Sequence, residues 1–181
     1  MERYAQSMGS SDSVDFCTVD ITSQYPQINP EVEGVVSRIA AINKHVQRQF
    51  DDTLAGHGLN HGEYRLLLRL TTRSADHRMS AGELSKAMLL SSGAMTNRLD
   101  RLEGAGLVRR VPDPRDRRGV LVELTDRGRE HIDAAVTEQA AKEIDVMSTL
   151  SPKELTQLNN LLRKVLISLE RSSADKDAEA V

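Results

Sequence analysis

The chain has no tryptophan, two phenylalanines and three tyrosines in 181 residues, so only 3% of it is aromatic. Such a core is filled by aliphatic side chains, and closely spaced Leu, Ala, Arg and Glu favour helices. Cys17 is the only cysteine. This excludes an intrachain disulfide and points to an intracellular protein. No apolar run approaches the roughly 20 residues of a membrane span, and no hydrophobic signal segment opens the chain, so the expected location is the cytoplasm. Basic charge is not in excess either. A net charge of −3 excludes a protein that is cationic all over, so any nucleic-acid surface must be a local patch. A Gly-rich phosphate loop and a nucleophile elbow are both missing, and Cys17 has no base near it in sequence. Neither catalysis nor a bound cofactor is therefore expected. His57 and His61 are four apart, but Gly58 and Asn60 break any shared helix, which argues against a metal site.

What remains is one helical plan. The length and the 39% hydrophobic content suit a single domain with added elements. Residues 1–15, rich in Ser and Gly, read as a flexible arm, and Val14 to Tyr25 as a brief helix. Asn29 caps and Pro30 opens a long amphipathic helix carrying Val32, Val35, Ile39, Ile42, Val46, Phe50 and Leu54, which ends near Gly56. Asn60 with Glu63, Ser80 with Glu83, and Ser91 or Ser92 start three further helices. The segment from Arg73 to Arg78 is a polar connector. Two β-like runs, Leu107 to Val111 and Val120 to Leu124, flank a charged loop from Pro112 to Gly119. Thr125 begins a long helix, and Ser151-Pro152-Lys153-Glu154 caps the last one, followed by a fraying tail. The expected fold is mainly α: a winged helix-turn-helix with a β-hairpin wing and a helical dimerisation lobe. The expected division is N-terminal dimerisation helices over 16–58, a DNA-binding lobe over 59–126, C-terminal dimerisation helices over 127–171 and a disordered tail over 172–181.

The helix after Ser91 carries the functional argument. With Met95, Leu99 and Leu102 buried, a rotation of 100° per residue turns Gly93, Thr96, Asn97, Asp100 and Arg101 outward. Asn can pair with adenine, Arg with guanine, and Thr can touch a thymine methyl or a phosphate. Ser91 and Ser92 add hydroxyls and N–H groups suited to phosphate, and Arg98 adds a further cation. Between Thr96 and Gly119 seven arginines face four acids, a local excess of +3. The hairpin tip, with Arg115, Arg117 and Arg118, is a cationic finger suited to a narrow minor groove, and Asp116 can hold a guanidinium in place.

The run Ser91-Ser-Gly-Ala-Met-Thr-Asn-Arg-Leu-Asp-Arg-Leu-Glu, with Gly106-Leu-Val-Arg-Arg, Asp113-Pro-Arg-Asp-Arg-Arg-Gly-Val and Leu124-Thr-Asp-Arg-Gly, resembles the MarR family of winged-helix regulators over Asn29 to Arg171. The resemblance implies an obligate homodimer on a palindromic operator in duplex DNA, often a repressor relieved by a small molecule. It makes Asp116 and Arg118 the wing pair and puts Ser92, Thr96, Asn97 and Arg101 on the recognition helix. The extra helix ahead of Asn29 is similar to the subgroup of PecS, TamR and the urate-responsive regulators. Tyr25 stands where that subgroup often has Trp, and Arg65 where it often has Asp, which points away from urate or a purine.

Two further expectations concern partners. The apolar stripes of the first and last long helices exceed what one small lobe can cover, which makes Val35, Ile39, Leu155, Leu158, Leu162 and Val165 dimer contacts. A small anionic effector is expected near Tyr25, Arg38, His61 and Arg65. The rival functions are an oxidant sensor working through Cys17 and a helical adaptor for a protein partner. The basic wing and the outward Asn97 and Arg101 argue against the adaptor.

Overall fold

The computed structural model describes residues 11–73 and 78–179. Its elements run α1 (Ser13–Gln24), α2 (Pro30–Gly56), α3 (His61–Arg73), β1 (Arg78–Ser80), α4 (Ala81–Met88), α5 (Ser92–Gly104), β2 (Val108–Asp113), β3 (Asp116–Leu124), α6 (Asp126–Met147) and α7 (Pro152–Glu179). The fold is therefore mainly helical with a small antiparallel sheet of order β1-β3-β2. The chain divides into two compact units, one ending at Ala135 and one beginning at Val136. Among the described residues no helix is long and apolar enough to cross a membrane.

Capping chemistry explains where the helices start. The Asn29 side chain accepts from the N–H groups of Glu31 and Val32, and Pro30 fills the first helical position, where its missing N–H is no loss. Ser80 and Glu83 form a reciprocal capping box on α4, and Ser151 and Glu154 make the same exchange on α7. Gly106, at φ +69°, reverses the chain after α5 while the N–H of Leu107 reaches back to Leu102 O at 2.9 Å.

The core of the first unit is one aliphatic cluster. Leu66, Leu67 and Leu70 of α3, Leu84 of α4, Met95, Leu99 and Leu102 of α5, Val108 of β2, Val122 of β3 and Ile132 of α6 are all essentially inaccessible to solvent. Within α5 the buried residues recur at i, i+4 and i+7, so the core clamps one stripe of that helix and leaves the opposite stripe in water.

Four sequence expectations change. The loop expected over Pro112–Gly119 shrinks to Pro114 and Arg115, because the strands continue outward as a ribbon. Pro112 is tolerated there because β2 is an edge strand and the register shifts between Pro112 and Asp113. The connector before α4 ends in a third strand, where Arg78, Met79 and Ser80 pair with Glu123, Val122 and Leu121; residues 74–77 lie outside the described part. α1 begins at Ser13, inside the expected arm, because Asp12 and Asp15 build a capping box for it; residues 1–10 are likewise outside. α7 runs on to Glu179, through the segment expected to be disordered. That stretch has neither Gly nor Pro, and Ala, Lys and Glu propagate a helix readily.

Candidate nucleic-acid interface

α5 is a helix built for presentation. Ser91 Oγ accepts from the N–H of Ala94 at 3.3 Å and so caps its N-terminus. Ser91, Ser92, Gly93, Thr96, Asn97, Asp100 and Arg101 are exposed, while Met95, Leu99 and Leu102 are buried. The Thr96 hydroxyl donates back to Ser92 O at 2.9 Å. The helix thus satisfies that hydroxyl itself.

The arginines of the patch divide into different roles. Arg98 is half-buried and turned toward α3, where Nη1 donates to Gly62 O at 3.4 Å, so it does not share the outward face of Asn97. Its position in the helix explains this, since it lies three residues after Met95 and four before Leu102, at the border of the buried stripe. Arg101 keeps an exposed side chain while its Nε pairs with Glu63 Oε1 at 3.0 Å. Arg110 of β2 reaches across to Asp100, 2.6 Å away, and to Glu103, which ties β2 to α5. These attractions keep the Arg110 guanidinium firmly protonated, the Asp100 hydrogen bond being the largest cause.

The wing has its own brace. Glu123 lies on the central strand, buried, with Arg78 opposite on β1 and Arg109 opposite on β2, and both guanidiniums pair with it. Burial pushes this carboxyl up, but hydrogen bonds from Arg109 and Arg78 outweigh burial and hold it below the ordinary glutamate value. At the turn, Asp113 Oδ1 accepts from the N–H of Arg115 at 2.8 Å, which fixes the chain reversal and leaves the Arg115 side chain exposed. The backbone of residues 117 and 118 is in β3. The side chains of Arg117 and Arg118 lie outside the described part of the structure, and with them the expected pairing to Asp116.

The four residues expected at an effector site sit in separate surroundings. Tyr25 is the exposed C-cap of α1. Arg38 of α2 pairs with Asp12 and Asp15 and so pins α1 down. His61 contacts Asp51 at 2.6 Å and packs edge-on against Phe50. Arg65 lines a hollow of about 180 Å³ between α3 and α4 with Leu68, Arg69, Thr72, Ala87 and Met88. His57 stacks edge-on against His131, away from His61's partners. Cys17 is exposed on α1.

Sequence reading missed Glu63 as more than a cap, Glu123 as the hub of the sheet, and Arg78 and Arg110 as braces. The only signal for Glu63 was its place in a capping box.

A helix-turn-helix whose second helix is exposed along one polar face, followed by a braced two-stranded wing, defines the winged helix-turn-helix class. Residues 59–120 match the MarR family. The chain is 33% identical over 153 residues to the HTH-type transcriptional regulator PecS of Dickeya dadantii, covering 81% of this chain and 90% of that protein. It is 31% identical over 134 residues to the multiple antibiotic resistance protein MarR of Escherichia coli, covering 71% and 88%. A crystal structure of a cysteine-to-serine mutant of the E. coli MarR with operator DNA superposes with a TM-score of 0.55 at 28% identity, covering 75% of this chain and 96% of that one. The chain belongs to the MarR family and is a DNA-binding transcriptional regulator, a class named for regulation and not for catalysis.

Proposed function

We propose that the protein acts as a homodimer that places two copies of α5 in successive major grooves of a pseudo-palindromic operator, and that it represses transcription until a small molecule releases it. The observation that carries this reading is the two-sidedness of α5: three large apolar side chains are locked in the core, while Thr96, Asn97 and Arg101 stand outward from a serine-capped start. Ser91 and Ser92 hold phosphate, Asn97 and Arg101 read base edges, and the wing residues Arg115, Arg117 and Arg118, with Asp116 beside them, enter the minor groove.

Dimerisation is supported by apolar side chains left in water. Val35, Ile39, Leu155, Leu162 and Val165 are between 42% and 59% exposed, and Val32, Val36, Ile42, Leu166 and Leu169 are exposed with them. On α7 the series Leu155, Leu158, Leu162, Val165, Leu169 steps by three and four, the spacing of a coiled-coil seam. A second copy covers these faces, which assigns 16–58 and 127–171 to dimerisation and 59–126 to DNA. Two-fold symmetry then spaces the half-sites by about one helical turn, ~10 bp. E. coli MarR with operator DNA supplies a family precedent for the DNA partner.

The effector reading rests on Arg65. Arg65 and Arg69, one helical turn apart, line the same hollow, whose apolar side is Leu68, Ala87 and Met88. Two guanidiniums over an apolar floor suit a small organic anion. Such a ligand weakens DNA binding only by its differential affinity for the two states.

The test is selection of duplexes from a random-sequence pool with the full chain. The expected product is an inverted repeat bound with steep salt dependence. Recovery of no preferred sequence refutes the regulator reading, and a single asymmetric half-site refutes the dimeric one. Release of the selected duplex by a panel of aromatic and dicarboxylic acids, with the parent and with Arg65→Ala, tests the effector. Equal release in both removes Arg65 from the site.

A further inference from the structure

Helices α3, α4 and α7 all open with a glutamate at the third position that reaches back to the capping residue's N–H. Glu83 and Glu154 do this in the open and are exposed. Each turns one oxygen, Oε2, to both the N–H and the hydroxyl of its serine. Glu63 differs. Its side chain is only 3% exposed, and its two oxygens serve two elements. Oε2 accepts from the Asn60 N–H at 2.9 Å, while Oε1 faces Nε of Arg101, on the recognition helix, at 3.0 Å. A helix cap does not require that second contact, nor the burial of a carboxylate to make it.

The neighbouring residue shows that the approach is close. Arg98, one turn earlier on α5, lies over Gly62 so tightly that a Cβ there would come within 2.7 Å of Nη1. The first turn of α3 is therefore a seat for α5, with Gly62 making room for one guanidinium and Glu63 holding the next.

Nε is the inner edge of the guanidinium fork. With the carboxylate beside Nε in an ion pair and, among the described residues, no other side chain pairing with Arg101, the terminal nitrogens are left for another partner, and the Arg101 side chain is 69% exposed. Arginine reads guanine, or clamps a phosphate, through a planar fork whose direction matters, and fixing that direction beforehand removes rotamer entropy from the cost of binding. We propose that Glu63 is a positioning residue that aims Arg101 at DNA and thereby sets sequence preference at the base pair Arg101 reads. This rests on α5 being the DNA-reading helix.

The experiment uses the full-length protein and a duplex selected by the parent from a random pool, compared with a scrambled duplex. Glu63→Gln keeps the volume and a capping group, but its single carbonyl oxygen cannot serve both Asn60 and Arg101. Glu63→Asp keeps the charge and withdraws it by one methylene. Both variants are expected to lose roughly five- to tenfold in preference for the selected duplex, and less than twofold once Arg101→Ala is also present, the signature of coupled residues. Asn60→Ala, which removes the cap and leaves the Glu63 carboxylate on Arg101, is expected to lower thermal stability without changing the preference.

If the parent selects no duplex, the reading of α5 fails and this assignment with it. If the parent selects one and Glu63→Gln and Glu63→Asp both match it, the assignment alone fails. It also fails if their loss persists undiminished beside Arg101→Ala, or if Asn60→Ala reproduces it. Should Glu63→Gln not fold, Glu63→Asp and its double variant decide the matter.

Discussion

Gly128 sits in the first turn of α6, buried, where the helix starts against the residue that precedes β2. A Cβ at this position would lie 2.8 Å from the carbonyl carbon of Leu107 and 3.2 Å from its Cα, and closer still to the carbonyl oxygen. That oxygen already accepts from the N–H of Thr125 at 3.1 Å, while Thr125 Oγ1, whose hydroxyl donates to Gly106 O at 2.7 Å, accepts from the N–H of Gly128 at 2.9 Å. Gly128→Ala has a propensity gain of roughly 0.5–1 kcal/mol in a helix. Against it stand overpacking on rigid backbone, about 1–3 kcal/mol, and the weakening of two hydrogen bonds worth about 1 kcal/mol each. The balance is a loss of about 2–4 kcal/mol, and for a chain of this size each kcal/mol moves Tm by roughly 2–4 °C. Thermal unfolding followed by circular dichroism measures it. Gly93→Ala, with nothing within 4 Å of its added Cβ, is the matched control and is expected to hold or raise Tm. A Gly128→Ala protein as stable as the parent would refute the close approach of α6 to Leu107.

Glu123→Gln is expected to cost about 1–2 kcal/mol near pH 7, because Arg78 and Arg109 lose their shared carboxylate but stay solvated. Since the folded Glu123 carboxyl titrates below its ordinary value, its contribution is present above the usual glutamate range and is lost as pH falls through the folded value. Denaturation between pH 7 and 3 should therefore show a shallower acid loss for Glu123→Gln than for the parent, and parallel curves would contradict the brace. Arg110→Ala should change stability by less than about 1 kcal/mol while speeding amide exchange in β2, and unchanged exchange would mean that the tie to Asp100 and Glu103 is idle. Leu162→Glu should shift sedimentation from dimer toward monomer, and a parent that sediments as a helical monomer would remove the dimer altogether.

The sequence displays those parts of this fold that depend on short-range periodicity. Met95, Leu99 and Leu102 repeat at helical spacing, so the buried and outward faces of α5 follow from one rotation rule, and the structure keeps both. The capping boxes at Ser80 and Ser151 are equally local and appear where their spacing places them. The strand β1 was hidden, because three residues are too few to show alternation. The outward reach of β2 and β3 was hidden for the opposite reason: a ribbon solvated on both faces carries charge and proline like a loop. Partner choice was the least legible. Arg78 and Glu123 are 45 residues apart in sequence and meet only through strand register. Arg101 reaches Glu63 only because α3 and α5 pack together, and no spacing rule encodes that contact. Arg98, adjacent in sequence to the outward Asn97, turns inward for the same reason.

These pairings change what the basic patch means. A count of charges from Thr96 to Gly119 treats seven arginines as one cationic surface, but in the folded chain four have specific work before DNA arrives. Arg98 and Arg101 seat α5 on α3, Arg110 ties the wing to α5, and Arg109 braces β2 to β3. Their acids, Glu63, Asp100, Glu103 and Glu123, lie on the same lobe and cancel much of the field they produce. Such an arrangement trades long-range attraction for direction. A chain of net charge −3 has no overall cationic field to draw DNA in, so any attraction must come from the local patch. Phosphate contacts supply most non-specific affinity and base-edge contacts supply discrimination, so a guanidinium already paired with an acid has less charge to offer a phosphate. The ion pairs around α5 thus lower the net charge of the patch below the count of its arginines while leaving the exposed part of Arg101 accessible.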